Sequence, residues 1–184
     1  MKDMNKNFLI TGRPGIGKTT CLRRAAEILL SRNVVVGGML TLEVREGGIR
    51  QGFQIIDLIS GRKGKLADVN LNKGPRVGKY WVNLQDLEEI GVTAIRRALR
   101  EAKVVIIDEI GPMELFSEAF REAVTAALDS PKPVLASIHF RARESTFGRM
   151  ILSRPDVEVV ELTISNREQV PVELARKIAQ LVAA

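Results

Sequence analysis

The eight residues Gly12 to Thr19, GRPGIGKT, satisfy the pattern G-x-x-x-x-G-K-[ST] and lie between a strand-like apolar run, Phe8 to Thr11, and a helical pattern from Lys18 to Leu30. No other feature constrains the fold as much, because such a loop works only where a strand delivers it and a helix leaves it. Gly12, Gly15 and Gly17 let the backbone curl so that successive N–H groups face phosphate oxygens, and the helix start adds its positive dipole end. Lys18 reaches the β- and γ-phosphates, the Thr19 hydroxyl is placed to ligate Mg²⁺, and Thr20 is a candidate α-phosphate contact. Pro14 belongs to the same nucleotide-binding segment, in which Arg13 and Ile16 act as spacers.

Around the loop, short apolar runs alternate with helical periods, the pattern of a mostly parallel sheet covered by helices on both faces. The expected fold is α/β, a three-layer P-loop NTPase sheet, in a single domain over residues 1–184. Val34 to Val36 reads as a second strand. From Met39 to Val82 the helical period disappears, and Met39 to Val44, Ile49 to Ile59, Lys65 to Val69 and Tyr80 to Val82 read as strands separated by turns at Glu46-Gly47-Gly48 and Ser60 to Gly64. Residues 39–82 are therefore a β-hairpin insertion after the second strand. Helical spacing resumes from Leu84 to Ala102, interrupted at Gly91, and recurs over Leu115 to Leu128, Glu144 to Leu152 and Pro171 to Val182. Val104 to Ile107, Val134 to Ser137 and Val157 to Leu162 complete the strands.

An apolar strand ending in an acid, Val104 to Asp108, is the Walker B arrangement, which brings a carboxylate beside the phosphates to hold the metal directly or through water. Glu109, one residue further, is placed to polarise a water behind the γ-phosphorus, the requirement for hydrolysis. The strand Val134 to Ser137 fits between the loop strand and the Walker B strand, which would set Ser137 and His139 near the γ-phosphate. The cation that a transferring phosphoryl group needs has candidates in Arg141, Arg143 and Arg149. Glu114, after the turn-forming Gly111-Pro112, reads equally as an acid near the metal or a helix-start carboxylate. Asn166 and Arg167 follow the last strand, where an amide could read a base edge and a guanidinium could stack on its face.

Composition removes other classes. No apolar run approaches the roughly 20 residues of a membrane helix, and the segment MKDMNKNFLIT has no secretory pattern, so a cytoplasmic location is expected. The lone Cys21 excludes an internal disulfide and reads as a small buried hydrophobe. The net charge of +6 is uneven: residues 1–92 carry 15 basic and 9 acidic side chains, and residues 93–184 carry 13 of each. That surplus suits an anionic ligand. The insertion nonetheless has few interleaved aromatics (Phe53, Tyr80, Trp81), which argues against single-strand nucleic-acid binding.

The segments GRPGIGKTT, VGGMLTLEVREGGIRQGFQIIDL, VGKYWVN, VIIDEIGPMEL, SIH and LTISNR together resemble the small archaeal and thermophile nucleoside-triphosphatases that include human cancer-related nucleoside-triphosphatase. The resemblance covers nearly the whole chain. It implies slow, Mg²⁺-dependent hydrolysis of ATP, GTP and other nucleoside triphosphates, with Gly12 to Thr19 and Asp108-Glu109 binding the nucleotide. Lys18, Glu109 and His139 are the expected catalytic residues, Thr19 and Asp108 the metal ligands, and the protein is expected to be a monomer. A kinase for a nucleoside, nucleotide or small metabolite is the first alternative, and a nucleotide-switched nucleic-acid-binding protein the second. The fate of the γ-phosphoryl group separates the kinase from the hydrolase.

Overall fold

The computed structural model describes residues 5–184; residues 1–4, part of the segment read for a leader, lie outside it. Strand β1 (Asn7–Thr11) leads into helix α1 (Lys18–Ser31), followed by β2 (Val36–Glu46), β3 (Ile49–Asp57), β4 (Lys63–Asp68), β5 (Arg76–Val77) and β6 (Tyr80–Val82). A helical stretch follows: α2 (Leu84–Asp86), a π-helical segment (Leu87–Val92) and α3 (Thr93–Glu101). The chain then forms β7 (Val104–Ile110), α4 (Glu118–Asp129), β8 (Val134–Ile138), α5 (Thr146–Leu152), β9 (Val157–Glu161) and α6 (Val170–Ala183).

All nine strands of the described residues join one sheet in the order β5-β6-β4-β3-β2-β7-β8-β1-β9. From β2 to β9 the neighbours are parallel, and from β2 to β5 they are antiparallel. Strand β8 lies between β1 and β7, as its sequence position predicted. Alternate residues of the central strands enter different cores: Phe8, Ile10 and Ile106 pack with α1 and α6, while Leu9, Val105 and Ile107 pack with α3 and α4. Burial on both faces explains the unbroken apolar run of β7. Each large side chain buried there contributes roughly 1.5–3 kcal/mol of transfer free energy. No helix is long and apolar enough to cross a membrane among the described residues.

The insertion departs from the sequence reading in two respects: it holds an additional short strand, β5 (Arg76–Val77), and the second strand does not end at Val36. Val36 and Met39 to Val44 belong to a single strand, whose start pairs with β7 and whose remainder pairs with β3. Gly37-Gly38 permits this continuity. Gly38 has φ +111°, and a Cβ there would stand 2.0 Å from the Ile106 carbonyl oxygen, so no other residue fits. The insertion is thus an antiparallel extension of the sheet. Asp57 fastens it to the helix layer by pairing with Arg97 (Oδ2 to Nη1, 2.7 Å) while accepting the N–H groups of Ile59 and Ser60. Gly91 likewise does not interrupt its helix; the extra residue is absorbed as a π-turn.

Candidate active site

Gly17, at φ +111°, turns the chain from the loop into α1, and no side chain caps the helix. The first N–H groups of α1 are therefore left for an anion. Lys18 Nζ donates to the Gly12 carbonyl oxygen at 2.8 Å and stands 4.0 Å from Glu109 Oε2. Ile16 is 3 % exposed and packs in the core beneath the loop, so this spacer is the loop's apolar anchor. Arg13 and Thr20 are exposed.

Asp108, 2 % exposed, is fixed from four directions. Its Oδ2 accepts the Thr19 hydroxyl at 2.8 Å, the Thr41 N–H at 3.2 Å and the Thr41 hydroxyl at 3.0 Å; its Oδ1 accepts the Ser137 hydroxyl at 2.8 Å. Thr41 was not legible as a site residue, since it lies on the insertion strand 67 residues away. Ser137, expected near the γ-phosphate, is fully buried and orients Asp108 instead. The Thr19 hydroxyl and the Asp108 carboxylate are hard oxygen donors side by side, which fits Mg²⁺, an ion that takes few protein ligands and keeps phosphate and water oxygens.

Glu109 and Glu114 add two acids to the same wall. Burial pushes the Glu109 carboxyl up to about 7; Asp108 raises it as well, and Lys18 pulls it down. Glu114, 4 % exposed on a single 3₁₀ turn, is raised well above the usual range by burial and then by Glu109. Glu114 thus lines the cavity wall and also stands in the first turn of its 3₁₀ helix, so both readings of it are met. His139 is held below its ordinary value by burial, then by Lys18 and Arg141. Neutral at pH 7, it accepts the Arg141 N–H on Nδ1 at 3.2 Å, which leaves Nε2–H as its donor. Cys21 is inert: burial pushes its thiol up to about 12.

A cavity of about 620 Å³ joins these groups; Lys18, Thr19, Asp108, Glu109, Glu114 and His139 line it together with Thr41, Glu43, Arg45, Arg50 and Phe53 of the insertion. Arg141, Arg143 and Arg149, the candidates for the phosphoryl cation, are not among its lining residues. Arg141 lies over the Phe140 ring at 5.2 Å, and Arg149 Nη1 donates to the Arg143 carbonyl at 2.8 Å. Asn166 and Arg167 also stand outside the cavity. The Asn166 amide serves its own turn, accepting the Thr163 N–H at 2.8 Å and donating to the Glu161 carbonyl at 2.9 Å. Arg167 Nη1 reaches the Ile16 carbonyl at 3.4 Å, beside the loop.

A strand, glycine loop and bare helix N-terminus, with an acid at the end of a buried strand two places across the sheet, define a P-loop nucleotide-binding protein. Comparison with known proteins narrows the class. The NTPase family model matches residues 7–175, and the chain belongs to that family. It is 61 % identical over 180 residues to nucleoside-triphosphatase THEP1 of Thermofilum pendens, covering 97 % of this chain and 98 % of that protein. The corresponding protein of Methanosarcina barkeri is 43 % identical over 173 residues, covering 94 % and 97 %. Among solved structures, THEP1 from Aquifex aeolicus superposes with a TM-score of 0.82 at 36 % identity, covering 94 % of this chain and 98 % of that one. A human cancer-related nucleoside triphosphatase superposes with a TM-score of 0.80 at 36 % identity, covering 95 % and 98 %.

Proposed function

We propose that this chain hydrolyses ATP, GTP and other nucleoside triphosphates to the diphosphate and phosphate, with Mg²⁺, in this cavity. One observation carries the reading: Glu109, a carboxylate with its pKa raised to about 7, stands 4.0 Å from Lys18, the P-loop lysine that would hold the γ-phosphate. A base near the operating pH, at the γ end of the site, can take a proton from water as the oxygen attacks phosphorus. Loop N–H groups and Lys18 hold the phosphates and balance the charge that develops. Thr19 and Asp108 would hold Mg²⁺, which would supply positive charge against the negative charge of the triphosphate. His139, through Nε2–H, donates to a γ-oxygen or orients the water. The proton accepted by Glu109 leaves with the phosphate product or passes to solvent, and the diphosphate departs from the loop.

Base recognition rests on Arg167 beside the loop, by stacking. A π-face is common to every base, so the reading predicts broad tolerance. Turnover of ATP, GTP, CTP and UTP should give kcat/KM values within about tenfold of one another, and chelation of the divalent ion should abolish all four. A preference of two orders of magnitude for one base, or turnover indifferent to chelation, contradicts this assignment.

A further inference from the structure

The transition state of phosphoryl transfer calls for a cation on the oxygens of the departing group, and three arginines line the cavity: Arg23, Arg45 and Arg50. Their hydrogen bonds separate them. Arg45 commits all three nitrogens to the hairpin itself, with Nε and Nη2 on Glu43 Oε2 at 3.0 and 2.9 Å and Nη1 on the Gly48 carbonyl at 3.0 Å. It staples the turn. Arg23 is exposed on α1, four residues beyond Thr19 and so about 6 Å further along the helix axis, away from the loop. Arg50 differs from both. Its Nη1 donates to Glu43 Oε1 at 3.1 Å, but its Nε is the single buried side-chain nitrogen or oxygen among the described residues that lacks a partner. An orphaned donor on a charged group is costly, and such groups in native proteins call for an explanation.

The register of the hairpin supplies a second, independent observation. Val44 pairs with Gly52 and Arg45 pairs with Arg50, so Gln51 is the extra residue of a β-bulge. In a regular strand Arg50 and Phe53, three positions apart, would face opposite sides of the sheet. The bulge brings both to the cavity, with the Arg50 guanidinium 5.5 Å over the Phe53 ring. Bulges beside active sites re-aim side chains in this way.

We propose that Arg50 is the catalytic arginine of the site, its guanidinium binding the oxygens of the transferring γ-phosphoryl group, with Glu43 as the positioning residue that fixes its plane. The proposal rests on the P-loop reading of the cavity and gives the insertion a chemical task. Arg50→Ala should lower kcat by about 10³-fold, with KM changed less than about threefold. Free guanidinium ion at low concentration should restore part of the lost rate. The wild-type protein should trap ADP with aluminium fluoride in the presence of Mg²⁺, and Arg50→Ala should not. Arg50→Lys should remain impaired, because an ammonium cannot reproduce the planar fork. Glu43→Gln should lower kcat by a smaller factor with KM little changed.

Melting curves establish that the variants fold, and Arg50→Lys carries the same readouts if Arg50→Ala does not fold. Lys18→Ala run in parallel separates two failures. Turnover retained in Arg50→Ala with Lys18→Ala inactive overturns the arginine assignment alone; turnover retained in both overturns the P-loop site itself. A rate loss in Arg50→Ala without guanidinium rescue, and with the aluminium fluoride complex still formed, also overturns the assignment.

Discussion

Lys18→Ala is expected to abolish measurable turnover, a loss on the order of 10³-fold or more, and to weaken nucleotide binding with it. The lysine ammonium faces the phosphates in both ground and transition states, so its loss is felt in KM as well as kcat. There is a second consequence. Lys18 is the group that pulls the Glu109 carboxyl down, against burial and Asp108. Without the cation that carboxyl should titrate higher, so any residual activity should need a more alkaline pH. Nucleotide titration and phosphate release over a pH series check both effects, and unimpaired turnover would remove the loop from the chemistry.

For Glu109→Gln, nucleotide binding should persist while kcat falls by on the order of 10²-fold or more. The amide is nearly isosteric but cannot accept the proton of the attacking water. In the wild type the basic form of Glu109 grows as pH rises through about 7, so kcat should climb across that range and level off above it. The Gln variant should lose that step. Stability should respond in the opposite sense. A carboxyl whose pKa is raised in the folded state binds more protons there than in the unfolded chain, so its contribution is full below its ordinary value near 4.5 and is lost as pH rises through about 7. Above pH 7 the uncharged Gln variant should therefore melt no lower than the wild type. A lower melting temperature at pH 8, or unchanged kcat, would contradict the role given to Glu109.

What could be read from the residues in advance was whatever is encoded locally. The glycine pattern of residues 12–19, the two-sided burial of Val104 to Ile107 and the acids that follow are each complete within a few positions, and the fold places them as that pattern requires. The order β1-β8-β7 also followed from the kind of strand involved. Partners fixed by long-range register were hidden. Thr41 meets Asp108 because β2 continues through Gly37-Gly38 in place of ending at Val36. Arg50 reaches the cavity because one bulge reverses the face of the residues before it. The arginines after β8 are candidates because they follow it in sequence; the chain there folds into short helical turns, with Arg141 over Phe140 and Arg149 on the Arg143 carbonyl. The Asn166 amide likewise serves the turn that follows β9.

The acceptor of the γ-phosphoryl group is proposed to be water, activated by Glu109 on the Walker B strand. The most direct test follows γ-labelled ATP and GTP through turnover, with and without nucleosides, nucleoside monophosphates and small hydroxylated metabolites in the mixture. All of the label should appear as inorganic phosphate at a rate the additions do not change. Label recovered on any added molecule, at a rate that rises with its concentration, would make the cavity between loop and hairpin an acceptor site and the protein a kinase.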